Sequence, residues 1–188
     1  MTIDDSIYSS YSLNKIGEKL KEIVLEYKPK KIIEFGVLNG YSTIHMAQGL
    51  KELGYGEIIA YDLWEKYPYN HSSKEKVFEN LKKYNVHEFV SLEQEDIFDW
   101  LDKKEQFDLI HIDISNDGEK IKKIYDKLKS NNNIKNSIML FEGGTVERDK
   151  VEWMEKFNKQ KIYPLLESKR VPYQIIVHDF PGLSMVKF

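Results

Sequence analysis

Two patterns in the sequence indicate a doubly wound α/β fold with a mostly parallel sheet. Short β-branched apolar runs alternate five times with segments whose apolar residues recur at helical spacing. Such alternation is typical of parallel strands joined by crossover helices. Two further apolar runs flank a short turn containing Pro181 and Gly182, which predicts a C-terminal antiparallel hairpin. The five strands and the hairpin together predict a seven-stranded sheet.

Each predicted element has apolar spacing and, in most cases, a recognisable end. The first helix should end at Lys28, because the residue before a proline avoids the α region, and Gly54 should end the second helix. Ser72 and Glu75 have the spacing of a capping box that opens the third helix. Helical spacing covers 12–27, 44–53, 77–84, 98–101, 121–128 and 151–157, and strand-like runs cover 31–35, 58–61, 89–92, 107–113, 138–141, 174–178 and 183–188.

Composition narrows the classes of function. The 188 residues are 41% hydrophobic and 31% charged, which is ordinary for a globular protein. We expect a single domain over 1–188, with 1–11 as a flexible segment or flap. The net charge of −3 argues against a nucleic-acid partner, and the apolar runs are too short to span a membrane. The sequence leaves a homo-oligomer open.

The cellular setting is indicated by the absence of cysteine and by the first residues. Zero cysteines exclude disulfides, thiolate metal sites and cysteine nucleophiles. The segment Met1–Ser6 lacks the basic and apolar regions of a signal peptide. We therefore expect a cytoplasmic protein.

A carboxylate closes or follows each predicted core strand. In an open parallel sheet, ligands bind beyond the carboxyl ends of the strands. Any one of these acids could be an ordinary turn or capping residue. Five coincident positions nevertheless predict a site. The five acids are Glu34, Asp62, Asp96, Asp113 and Glu142.

The turn after the first strand indicates which ligand this site would bind. Gly36 and Gly40 would let the backbone come close to a ligand where a Cβ would clash. Asp62 closes the next strand, near the position about 20 residues on where dinucleotide-binding folds place a ribose-binding acid. The turn lacks the Gly-x-Gly-x-x-Gly pattern, and Glu34 would repel a phosphate. The pattern therefore favours a ligand with a nucleoside and an amine over one with a pyrophosphate.

The motif Glu34-x-Gly36-x-x-x-Gly40-Tyr41-Ser42 is similar to the glycine motif of class I S-adenosylmethionine-dependent methyltransferases. It is especially close to the catechol O-methyltransferase-like branch and to the small-molecule and sugar O-methyltransferases. The order of elements, from the first helix to the last strand, resembles that fold as well. The resemblance implies a Rossmann-like sheet and methyl transfer from S-adenosylmethionine to a small-molecule acceptor, with a hydroxyl oxygen as the expected acceptor atom.

The resemblance also implies a role for each residue at the strand ends. Methyl transfer requires an acceptor atom in line with the sulfonium methyl group and a group that takes the acceptor's proton. The implied roles are Glu34, Gly36, Gly40 and Ser42 at the methionine end of the cofactor, Asp62 and Leu63 at the ribose, Asp96 and Ile97 at the adenine, and Asp113 at the methionine amine or a metal.

The sequence departs from the metal-dependent O-methyltransferases that it resembles. Those enzymes have an acid after strand four and an Asp-Asn pair after strand five. Here the first acid is Asp113, but the second position reads Glu142-Gly143. Two carboxylates and water could hold Mg²⁺, yet the third protein ligand is missing, so Mg²⁺ stays an open alternative. The lysine that follows the first acid in the family is absent too.

Asp113 and Glu142 are our candidate catalytic residues, with Glu142 acting as base or metal ligand. His111 and His71 are weaker candidates for the base. Arg148 would be either a clamp for an acidic substrate group or an ordinary helix-start ion pair. The remaining candidates are aromatic and could either form a lid over an acceptor or pack against the sheet: Tyr8, Trp64, Tyr67 and Tyr69.

Two other functions fit the same sheet. A nicotinamide- or other nucleotide-dependent enzyme is one, although the glycine spacing argues against it. A catalytically silent cofactor-binding module is the other; the missing lysine and asparagine favour it, and the intact glycines and strand-end acids oppose it. The Asp/Asn-Pro-Pro-aromatic motif of DNA amino-methyltransferases is absent. Protein and RNA acceptors, and transfer to nitrogen, stay open.

Overall fold

The structure is a computed structural model that describes residues 7–69, 71–131 and 134–188, without the side chain of Leu13. The strands are β1 Lys31–Phe35, β2 Glu57–Asp62, β3 Val90–Gln94, β4 Leu109–Ile112, β5 Ile138–Glu142, β6 Gln174–Val177 and β7 Leu183–Lys187. The α-helices are α1 Ile16–Tyr27, α2 Tyr41–Leu53, α3 Lys74–Lys83, α4 Ile97–Leu101, α5 Gly118–Lys129, α6 Glu152–Lys156 and α7 Tyr163–Glu167.

The seven strands form one sheet in the order β3-β2-β1-β4-β5-β7-β6. The pairs β1–β2, β2–β3 and β4–β5 are parallel, and β7 pairs antiparallel with both β5 and β6. This order confirms the predicted doubly wound, mostly parallel sheet and its C-terminal hairpin. The chain divides into two compact units, Met1–Ile97 and Phe98–Phe188, called here the N-terminal and C-terminal units.

The N-terminal unit packs α1 and α2 closely together beside three parallel strands. Glycine makes this approach possible, because a Cβ at Gly49 would lie 2.8 Å from Cγ1 of Val24. The first helix ends as predicted, and its cap residue Lys28 has the left-handed φ of 52° and donates its N–H to the Val24 carbonyl at 2.9 Å. The carboxyl ends of β1, β2 and β3 lie side by side, because these three strands pair in parallel.

The C-terminal unit is built on two strands that are buried along their whole length. Every residue of β4 and β5 is buried. Such near-continuous apolar runs are expected for parallel strands covered on both faces. The hairpin extends this segment, with Leu140 opposite Met185. The ends of β4 and β5 are thus held in a rigid core.

Some local expectations differ from the structure. The third helix is capped one residue later than predicted, because the Ser73 hydroxyl, and not that of Ser72, accepts the Lys76 N–H at 3.2 Å. Of the expected flexible segment 1–11, residues 1–6 lie outside the described part, whereas Ile7 and Tyr11 are buried at 2% and 0% exposure. Within the described residues, no helix is long and apolar enough to cross a membrane.

Candidate functional site

The turn between β1 and α2, residues 36–40, has a left-handed backbone at both of its glycines. The φ angles are +88° at Gly36 and +84° at Gly40, which other residue types adopt only with strain. Gly36 N–H donates to the Tyr61 carbonyl at 3.0 Å, and Gly40 N–H donates to the Val37 carbonyl at 2.8 Å. A Cβ at Gly40 would lie 3.1 Å from Cγ1 of Val77. The turn therefore has no side chain at positions 36 and 40, and a backbone hydrogen bond fixes its conformation at each of them.

Asp62, at the end of β2, holds this turn in place. Its Oδ2 accepts the backbone N–H groups of Val37 at 2.7 Å and Leu38 at 3.1 Å. Its Oδ1 accepts the N–H of Trp64 at 3.0 Å. A carboxylate offers about four lone-pair positions, so one acceptor position on Oδ1 is left for a further donor. Asp62 is half-buried, and its charge faces the turn.

Glu34 connects β1 to the first turn of α2. Its two carboxylate oxygens accept hydroxyl hydrogen bonds from Ser42 at 2.5 Å and from Thr43 at 2.5 Å. The side chain is completely buried, at 0% exposure. Hydrogen bonds from two hydroxyls satisfy a buried carboxylate that would otherwise be costly. Glu34 and Ser42, two predicted cofactor residues, therefore contact each other in the structure.

The outer side of the turn is fixed by two asparagine side chains. Asn80 Nδ2 donates to the Asn39 carbonyl at 3.0 Å. Asn39 Nδ2 in turn donates to the carbonyl of Tyr8 at 3.1 Å. The side chain of Tyr8 is 67% exposed. The N-terminal segment thus lies against the glycine turn through its backbone and leaves an aromatic ring free of the core.

The segment after β2 turns back onto β3. Trp64 is only 1% exposed, and its indole N–H donates to the Glu93 carbonyl at 2.8 Å. Gln94 Nε2 donates to the Leu63 carbonyl at 2.9 Å. Trp64 is therefore a core residue and not part of a lid, whereas Tyr69 is 68% exposed.

The strand-end residues of the N-terminal unit come from adjacent parallel strands. Gly36 follows β1, Asp62 and Leu63 close and follow β2, and Asp96 and Ile97 follow β3. Asp96 is half-buried and Ile97 is 3% exposed. Because these strands run side by side in the same direction, their ends lie along one edge of this segment. The structure brings the predicted turn, ribose and adenine residues together there.

In the C-terminal unit, the end of β5 carries a buried ion pair. Arg148 Nε donates to Glu142 Oε1, and Arg148 Nη2 donates to Glu142 Oε2 at 3.0 Å. The two side chains are 5% and 6% exposed. Arg148 Nη1 also lies 3.2 Å from the Met154 sulfur, and the guanidinium lies 5.2 Å from the centre of the Trp153 ring. Paired bonds of this kind hold both groups in one geometry.

Burial and the neighbouring charges shift the pKa values of both members of the ion pair. Burial raises the pKa of Glu142 to about 7, with the negative charges of Asp113 and Asp149 contributing to the rise and the Arg148 guanidinium opposing it. Burial alone would lower the pKa of Arg148, but Glu142, Asp113 and Asp149 together hold it above its ordinary value. The guanidinium therefore stays charged, while Glu142 can change its protonation state near neutral pH.

Asn116 ties the ends of β4 and β5 together. This side chain is completely buried, and its Nδ2 donates to the carbonyl oxygens of Ile112 at 2.9 Å and Glu142 at 2.9 Å. Sequence reasoning missed this residue. The only signal was an amide side chain a few residues after a strand-end acid, which also fits an ordinary turn.

Asp149 positions the far side of the same cluster. Its two carboxylate oxygens accept the N–H groups of Ile162 at 2.9 Å and Tyr163 at 2.8 Å, at the start of α7. The side chain is 3% exposed. Negative charge at a helix N-terminus is favourable, so Asp149 is explained by its structural contacts. No pattern in the sequence singles out Asp149, because α7 itself was not predicted.

A protein-family model described as a methyltransferase domain matches residues 33–142, which is more than half of the chain. The chain belongs to this methyltransferase family. The resemblance to class I S-adenosylmethionine-dependent methyltransferases is thereby confirmed, together with the expectation of an enzyme. A search of curated proteins finds no match by sequence.

Solved structures similar to this methyltransferase include several bound to the cofactor or its product. The O-methyltransferase TomG from Streptomyces achromogenes, involved in tomaymycin synthesis and in complex with SAM, has 13% identity and a TM-score of 0.64, covering 96% of this chain and 81% of that one. An O-methyltransferase from Bacillus cereus in complex with SAH has 18% identity and a TM-score of 0.64, covering 97% and 84%. The SAH-bound methyltransferase PaMTH1 from Podospora anserina has 19% identity and a TM-score of 0.66, covering 99% and 88%.

The other predicted residues of the methyltransferase take different positions. Asp113 lies half-buried just after β4, close enough to Glu142 for their charges to interact. His111 is completely buried within β4. His71 is exposed, and its Nδ1 lies 2.8 Å from the Tyr69 carbonyl. Of these three, Asp113 is the one beside the ion pair.

The residues of this cluster do not fit a divalent cation. Among the described residues there is no group of three or more histidine, cysteine, aspartate or glutamate side chains that could hold a metal ion. Both oxygens of Glu142 accept hydrogen bonds from Arg148, so this carboxylate already faces a positive charge of the protein.

Proposed function

We propose that this methyltransferase transfers the methyl group of S-adenosylmethionine to a hydroxyl oxygen of a small molecule. The observation that carries the proposal is the glycine turn, whose bare backbone is braced by the strand-end carboxylate of Asp62. Similar structures that are O-methyltransferases, two of them bound to SAM or SAH, support the choice of cofactor and of an oxygen acceptor.

The N-terminal unit fits such a cofactor at three strand ends. The bare backbone at Gly36 and Gly40 leaves room for the methionine end, which the predicted residues Glu34 and Ser42 flank. The predicted ribose and adenine residues line the next two strand ends: Asp62, Leu63, Asp96 and Ile97. Asp62 supports this assignment because one position on Oδ1 can still accept a hydroxyl hydrogen bond.

Asp113 and Glu142 are the proposed catalytic residues on the acceptor side. S-adenosylmethionine supplies an electrophilic methyl group and leaves as S-adenosylhomocysteine. The chain must then hold the acceptor oxygen in line and accept its proton. Glu142 suits proton transfer near neutral pH because burial raises its pKa to about 7. Asp113 lies beside it and also stays the predicted residue for the methionine amine.

The proposed setting is the cytoplasm, with a small-molecule acceptor and without nucleic acid. The absence of cysteine and the net charge of −3 support this setting. The ring of half-buried Tyr67 lies 5.5 Å from that of exposed Tyr69 at an angle of 71°, and this pair is available to contact a ring or sugar of the acceptor.

Calorimetric titration with S-adenosylhomocysteine tests the cofactor assignment. Wild-type protein should bind it saturably, and Asp62→Asn should bind about tenfold more weakly, because hydrogen bonds to a charged carboxylate are lost. The asparagine carbonyl can still accept the two turn amides, so the turn should keep these two bonds and lose only the one from the Trp64 N–H. Asp99→Asn is the matched control, since Asp99 is an exposed carboxylate on α4.

The outcomes separate the alternatives. Absence of binding at millimolar S-adenosylhomocysteine would refute the cofactor assignment. Binding without turnover, when S-adenosylhomocysteine release is followed over a broad panel of hydroxylated small molecules, would identify a silent binding module. If Glu142→Gln loses turnover but binds the cofactor with wild-type affinity, the result would support the acceptor-side role of Glu142.

A further inference from the structure

At the end of β5, a side chain that a metal site needs is missing, and a side chain of another kind lies against the strand-end acid. In the metal-dependent O-methyltransferases that the sequence resembles, an asparagine follows the acid at this strand end. This chain has Gly143 after Glu142. Mg²⁺ requires near-octahedral oxygen ligands at roughly 2.1 Å, so the loss of one ligand is costly for such a site.

Gly143 also makes room for Arg148. Its φ of +99° lies in the left-handed region, and a Cβ at this position would lie 3.2 Å from Cγ of Arg148. A side chain at 143, such as the amide of the metal-dependent enzymes, would crowd the Arg148 side chain and force it to shift. The absence of an amide side chain at 143 and the presence of the Arg148 guanidinium are therefore linked.

The guanidinium is fixed in this position from several directions. Glu142 binds it through two parallel hydrogen bonds, and the Met154 sulfur lies 3.2 Å from Nη1. The ring of Trp153 lies against it, and the backbone N–H of Arg148, which fixes the start of the side chain, donates to Thr145 Oγ1 at 3.2 Å. The side chain is 5% exposed, so leaving the site would require a large rearrangement.

The charge that Arg148 supplies has the sign and place of a cation. It faces Glu142 directly and interacts with the carboxylates of Asp113 and Asp149. A divalent ion bound to Glu142 would meet this fixed positive charge in a buried site, where repulsion is weakly screened. The two cations thus exclude each other.

We propose that Arg148 takes the place of the divalent cation, so that this enzyme transfers methyl groups without a metal ion. The inference rests on the proposed methyl transfer only for its catalytic consequence. Its structural content, that a guanidinium excludes the cation from Glu142, can be measured without any methyl acceptor.

Metal binding by the wild-type protein is the deciding measurement. Calorimetric titration with MgCl₂ and MnCl₂ should show no saturable binding at millimolar metal, and the melting temperature should not change with either ion. Saturable binding of either ion that is lost in Glu142→Gln would overturn the proposal. Titration of the same preparation with S-adenosylhomocysteine shows separately whether the cofactor assignment holds.

A double variant tests the cause. Gly143→Asn together with Arg148→Ala removes the guanidinium and restores the amide, so Mn²⁺ binding should appear, measured by loss of the free-ion electron paramagnetic resonance signal. Asn158→Ala is a control, because it changes an exposed asparagine. A folded double variant that binds no Mn²⁺ would show that Arg148 is not what excludes the cation. If that variant does not fold, the wild-type titrations still decide.

Turnover gives the catalytic consequence. Once an acceptor is found, the rate of methyl transfer should be the same with excess EDTA as with added Mg²⁺. A rate that falls at least tenfold in EDTA and returns with Mg²⁺ would overturn metal independence, even if cofactor binding is unchanged.

Discussion

His45 lies between α1 and α2 with both ring nitrogens lacking a hydrogen-bond partner among the described residues. It is 6% exposed, and its ring lies against Gly17, where any Cβ would overlap it. Burial, together with the positive charge of Lys21, lowers the pKa of His45 to about 4. The native protein therefore holds this imidazole neutral under conditions in which an unfolded chain would protonate it.

The consequence for stability has a definite sign. Between the unfolded pKa near 6.5 and the native pKa near 4, the unfolded state binds a proton that the native state does not, so the free energy of unfolding falls as the pH falls. Integration from about pH 7.5 to about pH 5 gives a loss of about 2 kcal/mol from this group. His45→Leu should remove that share. The raised pKa of Glu142 makes the free energy of unfolding rise as the pH falls between its unfolded and native pKa values. This contribution is the same in His45→Leu and wild type, so it cancels in their comparison.

Urea denaturation at the two pH values measures the difference, with linear extrapolation to water. His45→Leu should lose about 2 kcal/mol less than wild type on acidification. His178→Leu is the control, because it removes an exposed imidazole and should leave the pH dependence of wild type. Equal losses in His45→Leu and wild type would refute the view that this histidine is held neutral by burial.

Two substitutions test the frame of the site. Asn116→Ala should lower the free energy of unfolding by about 1–3 kcal/mol, because the buried carbonyls of Ile112 and Glu142 each lose a hydrogen-bond donor. Urea denaturation measures this change, and an unchanged free energy of unfolding would contradict the expected role of these bonds. Gly36→Ala and Gly54→Ala both place a side chain at a left-handed φ and should each cost roughly 1–2 kcal/mol. Only Gly36→Ala should also weaken S-adenosylhomocysteine binding in calorimetry, because Gly36 lies in the proposed cofactor turn. Gly54 lies at the C-terminal end of α2, where a Cβ would meet nothing within 4 Å. Equal affinities of the two variants would argue against a ligand at the turn.

The sheet and the glycine turn could be predicted because local sequence determines them. Strand runs and helical spacing fix the order of elements, and Gly36 and Gly40 have the backbone angles that the turn predicts. The aromatic loop could not be predicted in the same way. Trp64 has a φ of +51° and bonds to Glu93 on β3, a contact that depends on sheet packing and not on neighbouring residues.

The acceptor-side cluster shows the same limit. Asp113 and Glu142 were found because they follow predicted strands. For the helix-start ion pair of Arg148, the sequence suggested its neighbours Glu147 or Glu152 as the partner, and this was wrong because Arg148 pairs with Glu142. The path of the loop after β5 decides the matter, and it depends on left-handed angles at Gly143 and Gly144. Tertiary structure thus selects Glu142 as the partner.

Asp62 has a consequence for the energetics of ligand binding. Val37, Leu38 and Trp64 each donate a backbone N–H to this carboxylate, so contacts within the protein itself brace the turn between β1 and α2. Apparent affinity is reduced by whatever fraction of molecules lacks the competent conformation, and here that fraction should be small. If the cofactor binds at this turn as proposed, a single carboxylate spares it the entropy of ordering the loop that it contacts, and the affinity can reflect contacts alone.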